Sequence, residues 1–230
     1  MTTPYLEPED PDPPYPSRGS GCCSVYTLPP LVIVVVVAAV MALAFRSPGS
    51  LPSPVSLASV SSLPSQIATL FTPEVQYWGG DITRWAAQVG LDPNLAAVVM
   101  QIESCGDPRA LSRAGAMGLF QVMPFHFAAA DAPYLPETNA ARGLAYLGHA
   151  LSAAEGDPRL AFAGYNGGIS VIGKPEWTWP AETVRYAYWG SGIYADALSA
   201  AASSSRLDEW LGAGGASLCR AARQRLALED

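Results

Sequence analysis

The chain has 230 residues, a formal net charge of -7 and 50% apolar residues. This length allows one globular domain with attached segments. An acidic chain without a basic run argues against nucleic acid as the main partner. The chain has only two histidines, His126 and His149, and no HxxxH or CxxC pair. We therefore expect no zinc site.

Two segments at the N-terminus differ sharply in composition. Residues 1–24 are rich in proline and acidic side chains, which predicts a disordered tail. Residues 25–46 contain an apolar run from Leu31 to Phe45, which spans only about 22 Å as a helix, against about 30 Å for a bilayer core. A start at Thr27 extends the span to about 28 Å. We expect an uncleaved transmembrane anchor, and the alternative is a secretory signal cleaved near Ala44.

The anchor predicts a single-pass protein of the cytoplasmic membrane, but Arg18 and Arg46 flank it nearly symmetrically, so charge does not decide its orientation. We expect the N-terminus inside and the larger folded part outside, because the substrate inferred below would lie there. Residues 47–72 are rich in proline and serine, which predicts a semi-extended linker. A folded domain is expected at 73–200, followed by a C-terminal helical tail at 201–230.

The folded part is predicted to be helical, because apolar residues recur at helical spacing and strand patterns are nearly absent. Asp92 is expected to cap a helix that has Pro93 at its first position. Helices are predicted at 75–90, 92–103, 139–151, from 158, at 181–197 and at 207–226.

The cysteines fall on either side of the apolar segment. Cys22 and Cys23 precede it, and Cys105 and Cys219 follow it, so an anchor would place the two pairs in different redox compartments. Cys105 and Cys219 are either joined in a disulfide, which would tie the C-terminal tail to the helix that ends at Glu103, or are two free buried thiols.

Glu103 ends the apolar run that begins at Leu95. The C-terminal end of a helix disfavours negative charge, and partial burial also opposes ionisation. Such a carboxyl group keeps its proton near neutral pH, as a general acid must. The alternative is a surface glutamate at the start of a loop.

Four segments, in order, carry a resemblance to a known family. The first is residues 101–112, which contain Gln101-Ile102-Glu103-Ser104, and the second is residues 115–124, which contain Gly115-Ala116-Met117-Gly118-Leu119-Phe120-Gln121. The third is residues 139–147, and the fourth is residues 161–168, which contain Gly164-Tyr165-Asn166-Gly167-Gly168. A fifth element, Glu182-Thr183-Val184-Arg185-Tyr186, follows them. Together they resemble the soluble lytic transglycosylases, the murein-cleaving branch of the lysozyme-like fold, over roughly 78–190.

The resemblance implies a mostly α, lysozyme-like catalytic domain that cleaves the β-1,4 bond between N-acetylmuramic acid and N-acetylglucosamine and leaves a 1,6-anhydromuramyl end. It implies no metal and no organic cofactor. The expected partners are peptidoglycan strands and, through the anchor, the membrane, with cell-wall or secretion machinery as a further candidate. A muramidase-type hydrolase and a non-catalytic glycan-binding scaffold are the alternatives.

The resemblance also implies roles for individual residues. Glu103 would be the single acid and base. The expected substrate-binding residues are Ser104, Met117, Gln121, Tyr165, Asn166 and Tyr186. Ser104 would orient Glu103 or the substrate acetamido group, and Tyr165 would help to set the protonation of Glu103.

Three further expectations concern residues around these motifs. Phe120 stands where the family often has methionine, and it would line the sugar site with Met117. Asp107 would cap a turn rather than act as a second catalytic carboxylate. Trp177 and Trp179 either stack on sugars or plug their loop onto the core, and we favour the plug.

Overall fold

The computed structural model describes residues 66–229. Within that range the chain forms eight α-helices: α1 (Pro73–Tyr77), α2 (Gly79–Gln88), α3 (Pro93–Glu103), α4 (Pro136–Ala153), α5 (Pro158–Gly167), α6 (Ala181–Leu198), α7 (Ser205–Trp210) and α8 (Ala216–Leu226). Short 3₁₀ turns lie at Pro124–His126, Ile169–Val171 and Glu176–Thr178, and a π-helical turn lies at Leu211–Gly215. Strand-like pairing in this range is limited to isolated bridges that join Met117 to Leu111 and to Val122. The mostly helical prediction is confirmed.

Helix α3 is the central helix of the domain. The Asp92 side chain accepts a hydrogen bond from the Asn94 amide at 2.8 Å, and Pro93 occupies the first turn, as expected. Every residue of α3 before Glu103 is buried, because the helix is apolar on all sides and packs against α2 and α6. Glu103 is therefore the point at which a core helix reaches the surface of the domain.

Two predicted boundaries near the start of the domain are wrong. The helix predicted at 75–90 is interrupted at Trp78, whose buried indole donates to the Gly106 carbonyl at 2.9 Å. The linker predicted for 47–72 does not extend through residues 66–72, because Ile67, Leu70 and Phe71 are buried in the core. The extended pattern of small apolar residues gave no sign of this packing.

The C-terminal helices belong to the same core. Leu207, Trp210, Cys219 and Ala222 join the cluster that contains α3, so the predicted tail at 201–230 is packed against the rest of the domain over its described part. Cys105 and Cys219 form a disulfide, the first of the two alternatives left open by the sequence.

Residues 1–65 carry the predicted tail, the predicted anchor and most of the predicted linker, and these predictions lie outside the described residues. Among residues 66–229, no helix is long and apolar enough to cross a membrane.

Loss of the disulfide should destabilise the domain, because the link closes a loop with a sequence separation of 114 residues. We expect Cys105→Ser with Cys219→Ser to lower the free energy of unfolding by about 3–4 kcal/mol. Urea unfolding followed by tryptophan fluorescence measures the change. The control pair, Cys22→Ser with Cys23→Ser, should leave stability unchanged. Equal stability of both double variants would contradict a stabilising role for the link.

Candidate active site

Glu103 opens into a surface cavity of about 320 Å³. Its side chain is half-buried at the end of α3, so the carboxyl group is recessed but reachable. The other lining residues come from α3, the end of α5, one face of α6 and the π-helical turn, and they are Ile102, Asn166, Glu182, Arg185, Tyr186, Trp189 and Ala213. This partial burial is what the apolar run before Glu103 predicts.

The surroundings of Glu103 favour its protonated form. Burial raises the pKa of the carboxyl group from 4.5 to about 8, because the charged form loses contact with water. The Tyr186 hydroxyl opposes part of this rise, and the negative charge of Glu182 adds to it. Glu103 therefore holds its proton at neutral pH.

Tyr186 is the tyrosine whose hydroxyl lowers the pKa of Glu103. Its side chain is 5% exposed, and its hydroxyl has no hydrogen-bond partner of full geometry within residues 66–229. It nevertheless lies near enough to Glu103 to favour the carboxylate. Burial first, and then the charge of Glu103, raise the pKa of the Tyr186 phenol well above its ordinary value. Tyr186 thus keeps a hydroxyl proton available beside the carboxyl group.

Tyr165 lies in the same neighbourhood but has a different partner. Its hydroxyl donates to the Phe120 carbonyl at 2.7 Å. Burial raises the pKa of Tyr165, and Glu103 adds to the rise through its charge, so the two groups are close. Among the causes that shift the pKa of Glu103, the tyrosine is Tyr186. The role expected for Tyr165 in the protonation of Glu103 stays a prediction.

A second cavity, of about 260 Å³, adjoins the first. Asn166 lines both, so the two cavities lie side by side. The second cavity is bounded by Gln121 and His126 from the segment before α4, by Tyr146 from α4, by Tyr165 from α5, and by neighbouring residues of these elements. The structure therefore places Glu103 and Tyr186 in one cavity, Tyr165 and Gln121 in the second, and Asn166 in the wall of both. We refer to the two cavities together as the groove.

The loop that carries Gln121 is fixed by Asn139. The Asn139 side chain accepts from the Phe120 amide at 2.8 Å and donates to the Met117 carbonyl at 2.7 Å and the Pro133 carbonyl at 2.9 Å. Gly118 has φ of 74°, and a Cβ there would lie 2.4 Å from Asn139 Nδ2. The glycine in the second motif is thus required both for its conformation and for this close approach.

Gln121 is partly committed to its own loop. Its Nε2 donates to the Gly118 carbonyl at 2.9 Å and to the Ala110 carbonyl at 3.2 Å. The residue has φ of 45°, and its side chain still lines the second cavity. Gln121 thus lines the cavity while its side-chain amide is bonded to the backbone of its own loop.

Three residues predicted at the sugar site line neither cavity. Ser104 is 1% exposed, and its hydroxyl donates to the Leu119 carbonyl and accepts from the Gly106 amide. Phe120 is fully buried and packs edge-on against Trp85. Met117 is half-buried and lines neither cavity. Ser104 therefore caps the turn after α3. The sequence motif around Ser104 does not distinguish a residue that holds this turn from one that contacts substrate.

The structure also shows the surroundings of Asp107, Trp177 and Trp179. Asp107 accepts from the Arg109 amide at 2.8 Å, as expected of a structural cap. Trp179 is buried and its indole donates to the Val171 carbonyl, which confirms the plug for this residue. Trp177 is 86% exposed, so the plug is wrong for Trp177.

The sequence analysis missed Glu182, Arg185 and Trp189 as cavity residues. Glu182 and Trp189 lie on α6 four residues before and three residues after Tyr186, and Arg185 lies three residues after Glu182 and four before Trp189, which is the spacing of one helical face. The position of Tyr186 could therefore have indicated Glu182 and Trp189. Ala213 had no such signal, because it reaches the cavity only through the packing of the C-terminal segment.

One cluster of potential metal ligands occurs among the described residues, formed by Glu74, Cys105 and Cys219. Both sulfur atoms are in the disulfide, so neither supplies a thiolate. Glu74 is buried in an ion pair with Arg223 at 2.7 Å. These donors do not suit a metal ion.

Comparison with known proteins finds similarity to transglycosylases within the folded part of the chain. The family model of the Transglycosylase SLT domain matches residues 81–178. A protein named "Transglycosylase" from Enterobacteria phage PRD1 is 38% identical over 111 residues, which are 47% of this chain and 40% of that protein. An X-ray structure of an inactive mutant of the lytic transglycosylase Slt from Pseudomonas aeruginosa is 26% identical and covers 52% of this chain and 24% of that one, with a TM-score of 0.43. The predicted resemblance is confirmed, and the chain spans 40% of the length of the phage relative.

Titration should reveal the sheltered state of Glu103. Carboxyl-carbon NMR of the glutamates is expected to show one group with a midpoint near pH 8, absent in Glu103→Gln. Tyr186→Phe should move that midpoint upward, because it removes the hydroxyl that favours the carboxylate. The control Tyr134→Phe, at a tyrosine outside both cavities, should leave it unchanged. A midpoint near 4.5 would contradict the site described above.

Proposed function

We propose that the transglycosylase SLT domain at residues 81–178, completed by α6, cleaves the glycan strands of peptidoglycan. The bond is the β-1,4 link from N-acetylmuramic acid to N-acetylglucosamine. Glu103 is the single acid and base, and the product is a 1,6-anhydromuramyl end. The observation that carries this proposal is a carboxyl group protonated at neutral pH beside an open groove.

The first step is proton transfer from Glu103 to the oxygen that bridges the two sugars. The bond from that oxygen to the muramyl C1 breaks, and the N-acetyl group of the same sugar supports the cationic centre. Glu103 becomes a carboxylate in this step. The Tyr186 hydroxyl, which has no other full hydrogen bond among the described residues, stabilises that carboxylate as its pKa effect on Glu103 indicates.

The second step returns the proton. The Glu103 carboxylate accepts the proton of the muramyl 6-hydroxyl while that oxygen attacks C1, so the anhydro bond forms and Glu103 regains its starting state. No water is consumed. The same carboxyl group serves as acid and then as base, which requires a pKa near the working pH.

One observation favours the hydrolase alternative. Glu182 lines the same cavity as Glu103, and a second carboxylate is what most glycosidases use to activate water or to attack the sugar. A muramidase built on this pair would release reducing ends instead of anhydro ends. A non-catalytic scaffold would have no need of a protonated Glu103.

The site of action is part of the proposal. The apolar run from Leu31 to Phe45 would anchor the chain in the cytoplasmic membrane with the domain outside, or would direct secretion if cleaved near Ala44. The Cys105–Cys219 disulfide supports a location outside the reducing cytosol. Peptidoglycan lies in the same compartment.

Replacement of the acid should abolish cleavage. We expect Glu103→Gln to reduce the release of soluble murein fragments by at least about 100-fold, because an amide cannot donate the proton. The measurement is mass spectrometry of fragments released from purified murein. The wild-type fragments should lack one water relative to a reducing end.

Glu155→Gln is the matched control, since Glu155 is exposed and lines neither cavity. It should leave fragment release unchanged. Reducing ends, lost equally in Glu103→Gln and Glu182→Gln, would favour the hydrolase. Undiminished release by Glu103→Gln would refute the catalytic assignment.

A further inference from the structure

Arg185 is a cation at the mouth of the Glu103 cavity. It lies on α6, is exposed to solvent and lines the same cavity as Glu103 and Glu182. Within residues 66–229, six other arginines form ion pairs with carboxylates: Arg84, Arg142, Arg159, Arg206, Arg223 and Arg225. Arg185 forms none with the described residues, so its guanidinium is available to a ligand in the cavity.

Arg185 is also not arranged to act on the catalytic group. The causes that shift the pKa of Glu103 are burial, Tyr186 and Glu182, and Arg185 is not one of them. No ion pair joins Arg185 to Glu182 three residues earlier, although that spacing would allow one. The guanidinium therefore faces the cavity without being neutralised by either of its acidic neighbours.

The surrounding charge makes this cation significant. The chain carries a net charge of -7, and the other ionisable groups of the cavity are two glutamates and a tyrosine. An anionic ligand would be repelled from such a cavity without Arg185. A guanidinium offers a planar fork of donors that matches a carboxylate.

From these observations, and resting on the proposed function, we infer that Arg185 binds a carboxylate on the lactyl arm of muramic acid. That carboxylate belongs either to the lactyl group itself, in strands without peptides, or to the stem peptide attached to it. Neutral β-1,4-linked N-acetylglucosamine oligomers have neither. Arg185 would thus make the groove select peptidoglycan over neutral glycans of the same backbone.

Binding measurements in the Glu103→Gln background test this without cleavage. The ligands are chitotetraose, a murein tetrasaccharide with free lactyl carboxylates, the same tetrasaccharide with these groups methylamidated, and the tetrasaccharide with stem peptides. Isothermal titration gives each dissociation constant. Arg185→Gln should weaken binding of the carboxylate-bearing ligands by about tenfold and leave chitotetraose and the amidated ligand unchanged.

Two further variants test whether the effect depends on the charge and on the position of Arg185. Arg185→Lys should recover part of the loss, because it keeps the charge without the fork. Arg113→Gln, at an exposed arginine that lines neither cavity, should have no effect on any ligand. A tenfold loss confined to the free lactyl ligand, or confined to the peptide-bearing ligand, identifies the source of the carboxylate.

The inference is overturned if Arg185→Gln changes charged and neutral ligands by the same factor, or changes none. Absence of binding by every murein ligand would overturn both the inference and the proposed function. Retained selectivity for carboxylates, together with no cleavage by the wild type, would overturn only the proposed function.

Discussion

The removal of the Glu103 carboxyl group from water is the constraint on which the rest of the site depends. Helix α3 is apolar on all sides and buried, so its last residue is held where the core meets the groove. Ionisation of Glu103 is costly there, and its pKa rises to about 8. The same position gives the carboxyl group its cavity, its neighbour Tyr186 and its acidic neighbour Glu182. Packing of a core helix thus produces a carboxyl group that keeps its proton at neutral pH, which is the property that the proposed general acid needs.

Several interactions hold the groove around that acid. Asn139 ties the Gln121 loop to α4 through two hydrogen bonds, to Phe120 and Met117, and Tyr165 ties α5 to the same loop at Phe120. Ser104 ties the end of α3 to Leu119. On the far side, the disulfide at Cys105 attaches the C-terminal helices, whose Ala213 forms part of the cavity wall. The motifs are therefore mostly structural connections around one reactive group.

Sequence reasoning was most successful where local chemistry decides the outcome. The Asp92 cap, the course of α3 and the partial burial of Glu103 all follow from residues within one helix. It failed where a side chain can either line the cleft or bond to other parts of the protein, because only the three-dimensional arrangement decides between these two roles. Ser104 and Phe120 contact other residues of the protein and not the cavities, and the part of Tyr186 in the pKa of Glu103 was not foreseen. The burial of residues 66–72 depends on distant partners, such as Asn94 bonded to Ala68.

The pH dependence of cleavage is the most direct test of a sheltered, protonated Glu103. The folded pKa lies above the ordinary value, so the active form is present at low and neutral pH and is lost as the pH rises through about 8. The rate of murein cleavage should fall across that range. Glu182→Gln should move the fall to lower pH, because it removes a negative charge that raises the pKa. A rate that instead rises with pH through 8, or a fall that Glu182→Gln leaves in place, would contradict this mechanism.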